Sequence, residues 1–360
     1  MSLSKHHYAI ELAKRGNTVY FLNPPGKENT RRKTVIDILP SGIVPDLWLI
    51  EHRIWFPYRL KFHALPLFHL LMKSHLAGMI KKIGGPVDVI WSFDLGNLYP
   101  FRLFSGRPVK IFHPVDEPLN QVALDSGKGA DIIFSVTKEI LEKYNASPAP
   151  GHFINHGVAE EFSAKMPTAW EKSLPIHVGL SGNWTRSDID TACLLRIIRE
   201  QPAVVFEFWG SYQLADSNIG GNNNPAIEKF IRELQHSSNV ILHGPVPPAQ
   251  LAAELHRMDA FLICYDIRKD QSKGTNYHKV MEYLSTGKVI ISNNITTYRD
   301  RPDLIQMVQE RDNNDKLPDL FNAVINGIDR YNSETLRETR LCYALDNTYK
   351  KQLDRIEALL

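Results

Sequence analysis

Short β-branched and aromatic runs alternate along most of this chain with stretches whose apolar residues recur every three or four positions. Unbroken apolar runs of four to eight residues predict strands, and the 3.6-residue period predicts amphipathic helices. In the first half the strand-like runs are Thr18–Leu22, Val87–Phe93, Val109–Phe112, Ile132–Val136 and His152–Ile154. Helical patterns occupy Leu67–Lys82 and Thr137–Tyr144. In the second half the runs are Ile176–Leu180, Val204–Phe208, Val240–Leu242, Phe261–Cys264 and Val289–Ser292. The helical patterns there are Asp188–Glu200, Pro225–Leu234, Pro248–Met258 and Tyr277–Ser285. Runs such as VDVIW and AFLIC are apolar at odd and even positions alike, as parallel strands covered on both faces must be. Strands alternating with helices in this way predict βαβ units.

The alternation occurs twice. It is interrupted at 163–175, SAKMPTAWEKSLP, which has no clear period and contains two prolines. The expected fold is α/β: two Rossmann-like doubly wound domains, 1–165 and 175–332, facing a cleft. A C-terminal helix over 333–360 follows and is expected to pack back toward the first domain. Ligands in such sheets lie outside the carboxyl ends of the strands, so functional residues are sought just after strands. The opening is unusual, because Ser4–Arg15 reads as a helix where a Rossmann unit starts with a strand. Either Met-Ser-Leu is a leader on a trimmed chain, or the first strand is truly absent.

Composition narrows the class. The 360 residues are 43% hydrophobic and carry 42 basic against 40 acidic side chains, which does not fit a disordered chain. No run approaches the ~20 apolar residues of a membrane span, and the start lacks the apolar core of a signal peptide. Cys193, Cys264 and Cys342 are odd in number and far apart, which suits a reducing cytoplasm better than a disulfide scaffold. Residues 1–82 hold 13 Lys and Arg but 5 Asp and Glu. Within them, 51–82 interleaves Arg53, Arg59, Lys61, Lys73, Lys81 and Lys82 with Trp55, Phe56, Tyr58, Phe62 and Phe68. That mixture suits an anionic membrane surface. The plain alternative is that Trp55 through Leu71 cover the sheet.

Most of the chemistry falls in 260–294: strand, polar loop, helix, glycine break, strand. Gly274, Thr275 and Asn276 precede the helix, and Thr275 or Asn276 is expected to cap it. A helix start at the carboxyl end of a strand suits phosphate. Glu282 lies among Val280, Met281, Tyr283 and Leu284. A carboxylate there needs a partner. Ribose hydroxyls would serve, and so would His278 or Lys279 on the same helix.

The run Lys279, Glu282, Tyr283, Leu284, Ser285, Gly287, Lys288, Val289, Ile290 resembles the nucleotide-binding segment of GT-B glycosyltransferases of group 1 (family 4-like). The stretches 239–265, 153–162 and 9–25 resemble further parts of that family in the same order. The resemblance implies a sugar transferase, of hexosyltransferase type and retaining, of the kind that builds bacterial surface polysaccharide. It would use a UDP- or GDP-sugar donor, a glycan or lipid-linked acceptor on the first domain, and no bound metal or other cofactor. It places Glu282 on the donor ribose and His243, Gly244 and Val246 around the base. Lys273, Gly274, Thr275 and Asn276 fall at the sugar and diphosphate. Two departures stand out. Many relatives carry a Glu where this chain has Gly274. Many also hold the diphosphate with an Arg and a Lys after the first strand of the second domain. Here that stretch is SGNWTRSDID: Gly182 and Asn183 sit near the expected Arg, no Lys follows, and Arg186, Arg268, Lys273 and Lys279 are the candidates for the charge.

On the first domain, VKIF ends in His113-Pro114-Val115-Asp116. The family places a His or Asp there, toward the donor sugar, so His113 and Asp116 are the catalytic candidates. In an inverting enzyme one would be a general base; loop hydrogen bonding is the alternative for both. Asp94 and the pair His6–His7 are lesser candidates. Asp188-Ile189-Asp190 reads as a helix cap rather than a metal site. His278 with Glu282 lacks the rest of a zinc motif. No dinucleotide or P-loop glycine pattern occurs, and the even charge gives no footprint for nucleic acid. Two other readings stay open: a sugar-nucleotide 2-epimerase of the same fold, and a non-catalytic nucleotide-binding relative.

Overall fold

The computed structural model describes residues 4–26, 36–163, 170–213, 225–270 and 272–360. The chain divides into two compact units. One holds the described residues up to Asn155 together with Leu353–Leu360; the other is His156–Gln352. Residues 1–3 and 164–169, where the sequence suggests a leader and part of a linker, lie outside the described residues.

The first unit contains β1 (Val19–Leu22), β2 (Ile36–Pro40), β3 (Leu47–His52), β4 (Val89–Ser92), β5 (Val109–Phe112), β6 (Ile132–Ser135) and β7 (Gly151–Phe153). Strands β4-β5-β6-β7 form a parallel sheet in sequence order. Strands β1-β3-β2 form a second sheet in which β2 runs antiparallel to β3. That hairpin is absent from the sequence reading, which sought strands separated by helices. The helix Leu65–Ile83 buries Phe68, Met72, His75, Leu76 and Met79. This i, i+4, i+7 spacing is the stripe an amphipathic helix must cover. It ends at Gly84 in the left-handed conformation.

The second unit contains β8 (Ile176–Ser181), β9 (Val204–Trp209), β10 (Val240–Gly244), β11 (Ala260–Ile263), β12 (Val289–Ser292) and β13 (Ile305–Met307). Their order, β10-β9-β8-β11-β12-β13, is all parallel. Renumbered within the unit this is 3-2-1-4-5-6, the Rossmann order, and its switch point lies between β8 and β11. The three-residue edge strand β13 was too short for the sequence pattern to show. Strands β11 and β12 are buried at every position, each large apolar side chain contributing about 1.5–3 kcal/mol. The helix Pro225–His236 packs Ile227, Phe230, Ile231 and Leu234 on the core. The helix Thr191–Glu200 is capped by Asp190, whose carboxylate accepts from Cys193 N.

The segment 170–175 is tied to the second unit, because Asp259 accepts from Trp170 Nε1 (3.0 Å) and Ser173 N (3.2 Å) as well as from His177 N (2.9 Å) in β8. One expectation needs correction. The C-terminal helix is two helices, Glu334–Asp346 and Tyr349–Glu357. They break because Thr348 bridges to Val158, with Val158 N donating to Asn347 O and Tyr349 N to Val158 O. A backbone that pairs sideways leaves the helical path. No helix among the described residues is long and apolar enough to cross a membrane.

Candidate functional site

In the second unit the strand ends around the switch point are knit by glycine. Gly182 N donates to Trp209 O and Gly210 N to Gly244 O, joining the ends of β8, β9 and β10. A Cβ on Gly210 would stand 1.8 Å from Gly182 O, and Gly210 has φ +109. Only glycine lets these backbones approach so closely.

The helix His278–Leu284 closes the site from the other side. Lys279 Nζ donates to Ser181 O and to Tyr265 Oη (2.7 Å). One turn later Tyr283 Oη receives Ser181 N (2.7 Å). Two side chains at i and i+4 therefore grip one residue at the end of β8. Burial lowers the Lys279 pKa and raises that of Tyr265, to which Asp188 adds. Arg186 is held bidentate by Asp188, Nε lying 3.0 Å from both oxygens, and this pairing raises the Arg186 pKa. Asn183 spends its Oδ1 on Thr185 N and Oγ1, so it shapes its own turn.

Glu282 is buried and pairs with His278, Oε1 to Nδ1 3.2 Å, while His278 Nε2 meets Tyr349 Oη at 3.1 Å. The structural alternative for Glu282 is thus realised through His278, and Lys279 turns to the strand end instead. His243 is exposed, stacks on Trp209 at 4.8 Å and contacts Glu207 at 2.7 Å. Glu207 also reaches His177 at 2.6 Å. Gly244 and Val246 follow His243 along the chain, and Gly244 has φ +75.

The loop after β11 is organised by Asp270, which the sequence reading missed. Buried, it accepts from Ser272 N and Oγ, Gly274 N and Tyr277 Oη. Asn293, just after β12, accepts from Tyr265 N and donates to Tyr277 Oη. The available signal was position alone: a polar residue directly after a strand, and an Asp two residues before a Ser. Thr275 and Asn276 do not cap the helix; Tyr277 occupies the cap position without a side-chain bond. Thr275 Oγ1 donates instead to Ser272 O. Gly274 has φ +66, and a Cβ there would lie 2.9 Å from Asn294 O. A side chain at this position would run into the backbone. Lys273 is exposed, and its carbonyl accepts from Arg311. Asp190 caps its helix as the spacing predicts and also accepts from Asn314.

In the first unit His113 follows β5 but is 0% exposed. It packs among Phe93 (5.0 Å), Tyr8 (5.5 Å), Trp91 (5.8 Å) and Phe134 (5.8 Å), and neither ring nitrogen has a partner. Burial pushes its pKa down to about 3. The expected presentation of a ring nitrogen to a sugar is not what the structure holds. Asp116 is exposed. Asp94 receives Gly96 N and Leu98 N, both at 2.7 Å, and serves its own loop. His6 stacks on Phe21, and His7 is part-buried.

No protein-family model matches the chain, and no curated protein matches its sequence. Solved structures do match. Sucrose-phosphate synthase from Thermosynechococcus elongatus superposes with TM-score 0.70 at 14% identity, over 99% of this chain and 91% of that one. Trehalose-6-phosphate synthase OtsA gives 0.64 at 10%, over 100% and 95%. Anabaena HepE, solved with UDP and glucose, gives 0.57 at 12%, over 88% and 87%. Identities this low establish architecture, and with the strand order of the second unit they show that the chain has the GT-B fold of glycosyltransferases, with two Rossmann-like units.

Proposed function

We propose that the chain is a glycosyltransferase that takes a sugar from a UDP- or GDP-sugar bound on the unit His156–Gln352. The observation that carries this reading is the placement of Lys279. It is a part-buried ammonium at the switch point, one helical turn before a buried carboxylate, Glu282. A diphosphate at the strand ends would meet Lys279 and Arg186, and charge-assisted hydrogen bonds there are about twice as strong as neutral ones. Arg186 would then share itself between Asp188 and the ligand. Glu282, oriented by His278, has the chemistry to accept from ribose hydroxyls. His243, Gly244 and Val246 would border the base, and Gly274, Thr275 and Asn276 the sugar side. HepE was solved with UDP and glucose, which supports a UDP-hexose as first choice.

The acceptor belongs to the first unit in this reading, as a glycan or lipid-linked sugar of a surface polysaccharide. Asp116 is the exposed acid or base candidate there. Hexosyl transfer with retention is the stereochemical form we assign, without a bound metal, since cations already stand at the strand ends. Thermal unfolding with UDP, GDP, ADP, CMP and their sugars tests the donor site on wild type and Glu282→Gln. One nucleoside diphosphate should stabilise wild type, by about 2.7 kcal/mol at a hundred times its Kd, and Glu282→Gln should lose most of that. No response to any nucleotide would overturn the reading. Binding without transfer to any acceptor would leave nucleotide recognition and remove the transferase assignment.

A further inference from the structure

The aromatic and basic stretch of the first unit had a plain explanation, that its side chains cover the sheet. The structure divides them. Phe56, Phe68 and Met72 do enter the core. Trp55, Tyr58, Phe62, Leu65, Leu67 and Leu70 do not; Phe62 is 70% exposed, Leu70 66% and Trp55 50%. The exposed set is continuous with the buried one. Tyr58 meets Phe62 at 5.8 Å and Phe68 at 6.2 Å, and Trp55 packs on Phe56 at 5.3 Å. Beside them a groove of ≈ 470 Å³ runs along the start of the helix Leu65–Ile83, lined by Leu65, Pro66, Leu70 and Leu103 with Lys73 and Arg102. Leu103 belongs to the core, but Trp55, Tyr58, Phe62, Leu65, Leu67 and Leu70 lie outside it, and an apolar patch left uncovered in this way marks an interaction surface.

Charge identifies the occupant. From His52 to Val87 the chain has no Asp or Glu. Lys61 donates to Gly96 O and lies over the Tyr58 ring. Arg102 pairs with His69 at 2.7 Å. Among the described residues no acid pairs with Arg59, Lys61, Lys73 or Arg102. Separate projecting aromatic and aliphatic side chains, in a stretch whose charged residues are all basic, match a bilayer boundary. There apolar groups sink to the acyl level and each cation meets an anionic headgroup.

We propose that this surface, centred on Phe62 and Leu70 with Arg59, Lys73 and Arg102 around them, docks the protein on an anionic phospholipid membrane. The inference stands on the surface alone and needs no glycosyl transfer, so its test and the nucleotide test fail independently. Co-sedimentation of the full chain is compared on phosphatidylcholine vesicles and on vesicles with about a third phosphatidylglycerol. Wild type should pellet with the anionic vesicles at low salt and release as salt rises. Arg59→Gln/Lys73→Gln should weaken binding about 30-fold, the loss of two surface cations. Phe62→Ser/Leu70→Ser should weaken it at least about tenfold. Both pairs are exposed, so unfolding temperatures should match wild type and show that the fold is intact. Wild type remaining in the supernatant with anionic vesicles would overturn the proposal, as would variants that pellet like wild type. A wild-type dimer in light scattering that Phe62→Ser/Leu70→Ser converts to monomer would assign the surface to a second copy instead.

Discussion

At the scale of single residues His113 sets the sharpest problem. Each buried polar group without a partner costs roughly 1–3 kcal/mol, and this ring carries two such nitrogens. Its four aromatic neighbours would accept a phenyl ring in the same place. His113→Phe should therefore stabilise the protein by about 1 kcal/mol at pH 7, read by thermal unfolding. The folded pKa, about 3, lies below the ordinary 6.5. Between those values the unfolded chain binds more protons, so stability is full above pH 6.5 and falls as pH drops. The variant should lose roughly 2 kcal/mol less than wild type between pH 7 and pH 5. His75, pushed down to about 4 by burial and by His52, keeps its own share of that loss. If His113→Phe instead abolishes transfer at unchanged stability, the ring acts on substrate, and the box must open to release it. Lys279 and Glu282 were singled out by the resemblance carried in one compact run, and the structure sets Lys279 at the end of β8 and pairs Glu282 with His278. Asp270 was not singled out. Its role exists only because the loop folds back four and seven residues later onto one carboxylate, which no local pattern displays.

Among elements, the loop between β11 and the helix His278–Leu284 shows how backbone geometry restricts chemistry. Gly274 combines a left-handed φ with a carbonyl 2.9 Å from where a Cβ would be. Gly274→Glu would place a carboxylate in this loop at a cost in stability. We expect a loss of at least about 2 kcal/mol, from the left-handed strain and the contact with Asn294. Nucleotide-induced stabilisation should fall along with it; a variant that folds as wild type and transfers faster would refute this. Most strands and helices could be read in advance, because buried parallel strands are apolar throughout and helices carry a 3.6 period. The elements that escaped were governed by partners distant in sequence. Strand β2 is antiparallel to β3, β13 has three residues, and the last helix is cut by pairing of Thr348 with Val158.

Over the whole molecule the chain passes between its two units twice, at Asn155–His156 and at Gln352–Leu353. Within the second unit the segments next to these passages are joined, through Val158 and Thr348 and through Tyr349. The Tyr349 ring lies 2.5 Å from where a Cβ on Gly157 would stand. A fragment 156–352 keeps that pair, and keeps Trp170 and Ser173 on Asp259; a fragment 175–332 discards both. The longer fragment should unfold cooperatively in a thermal scan, and the shorter one should melt at least about 5 °C lower or not fold. Equal melting temperatures would show that the paired segments contribute nothing. The same chain path bears on synthesis. Arg15, just after the helix Ser4–Lys14, binds Asp354 at 2.6 Å and also Glu357. Domains generally fold in the order in which they leave the ribosome, but here the unit begun first is finished last. Until Leu353–Leu360 emerges, the first unit lacks its closing segment and the ion pairs of Arg15 with Asp354 and Glu357 cannot form, while the unit made second is already complete.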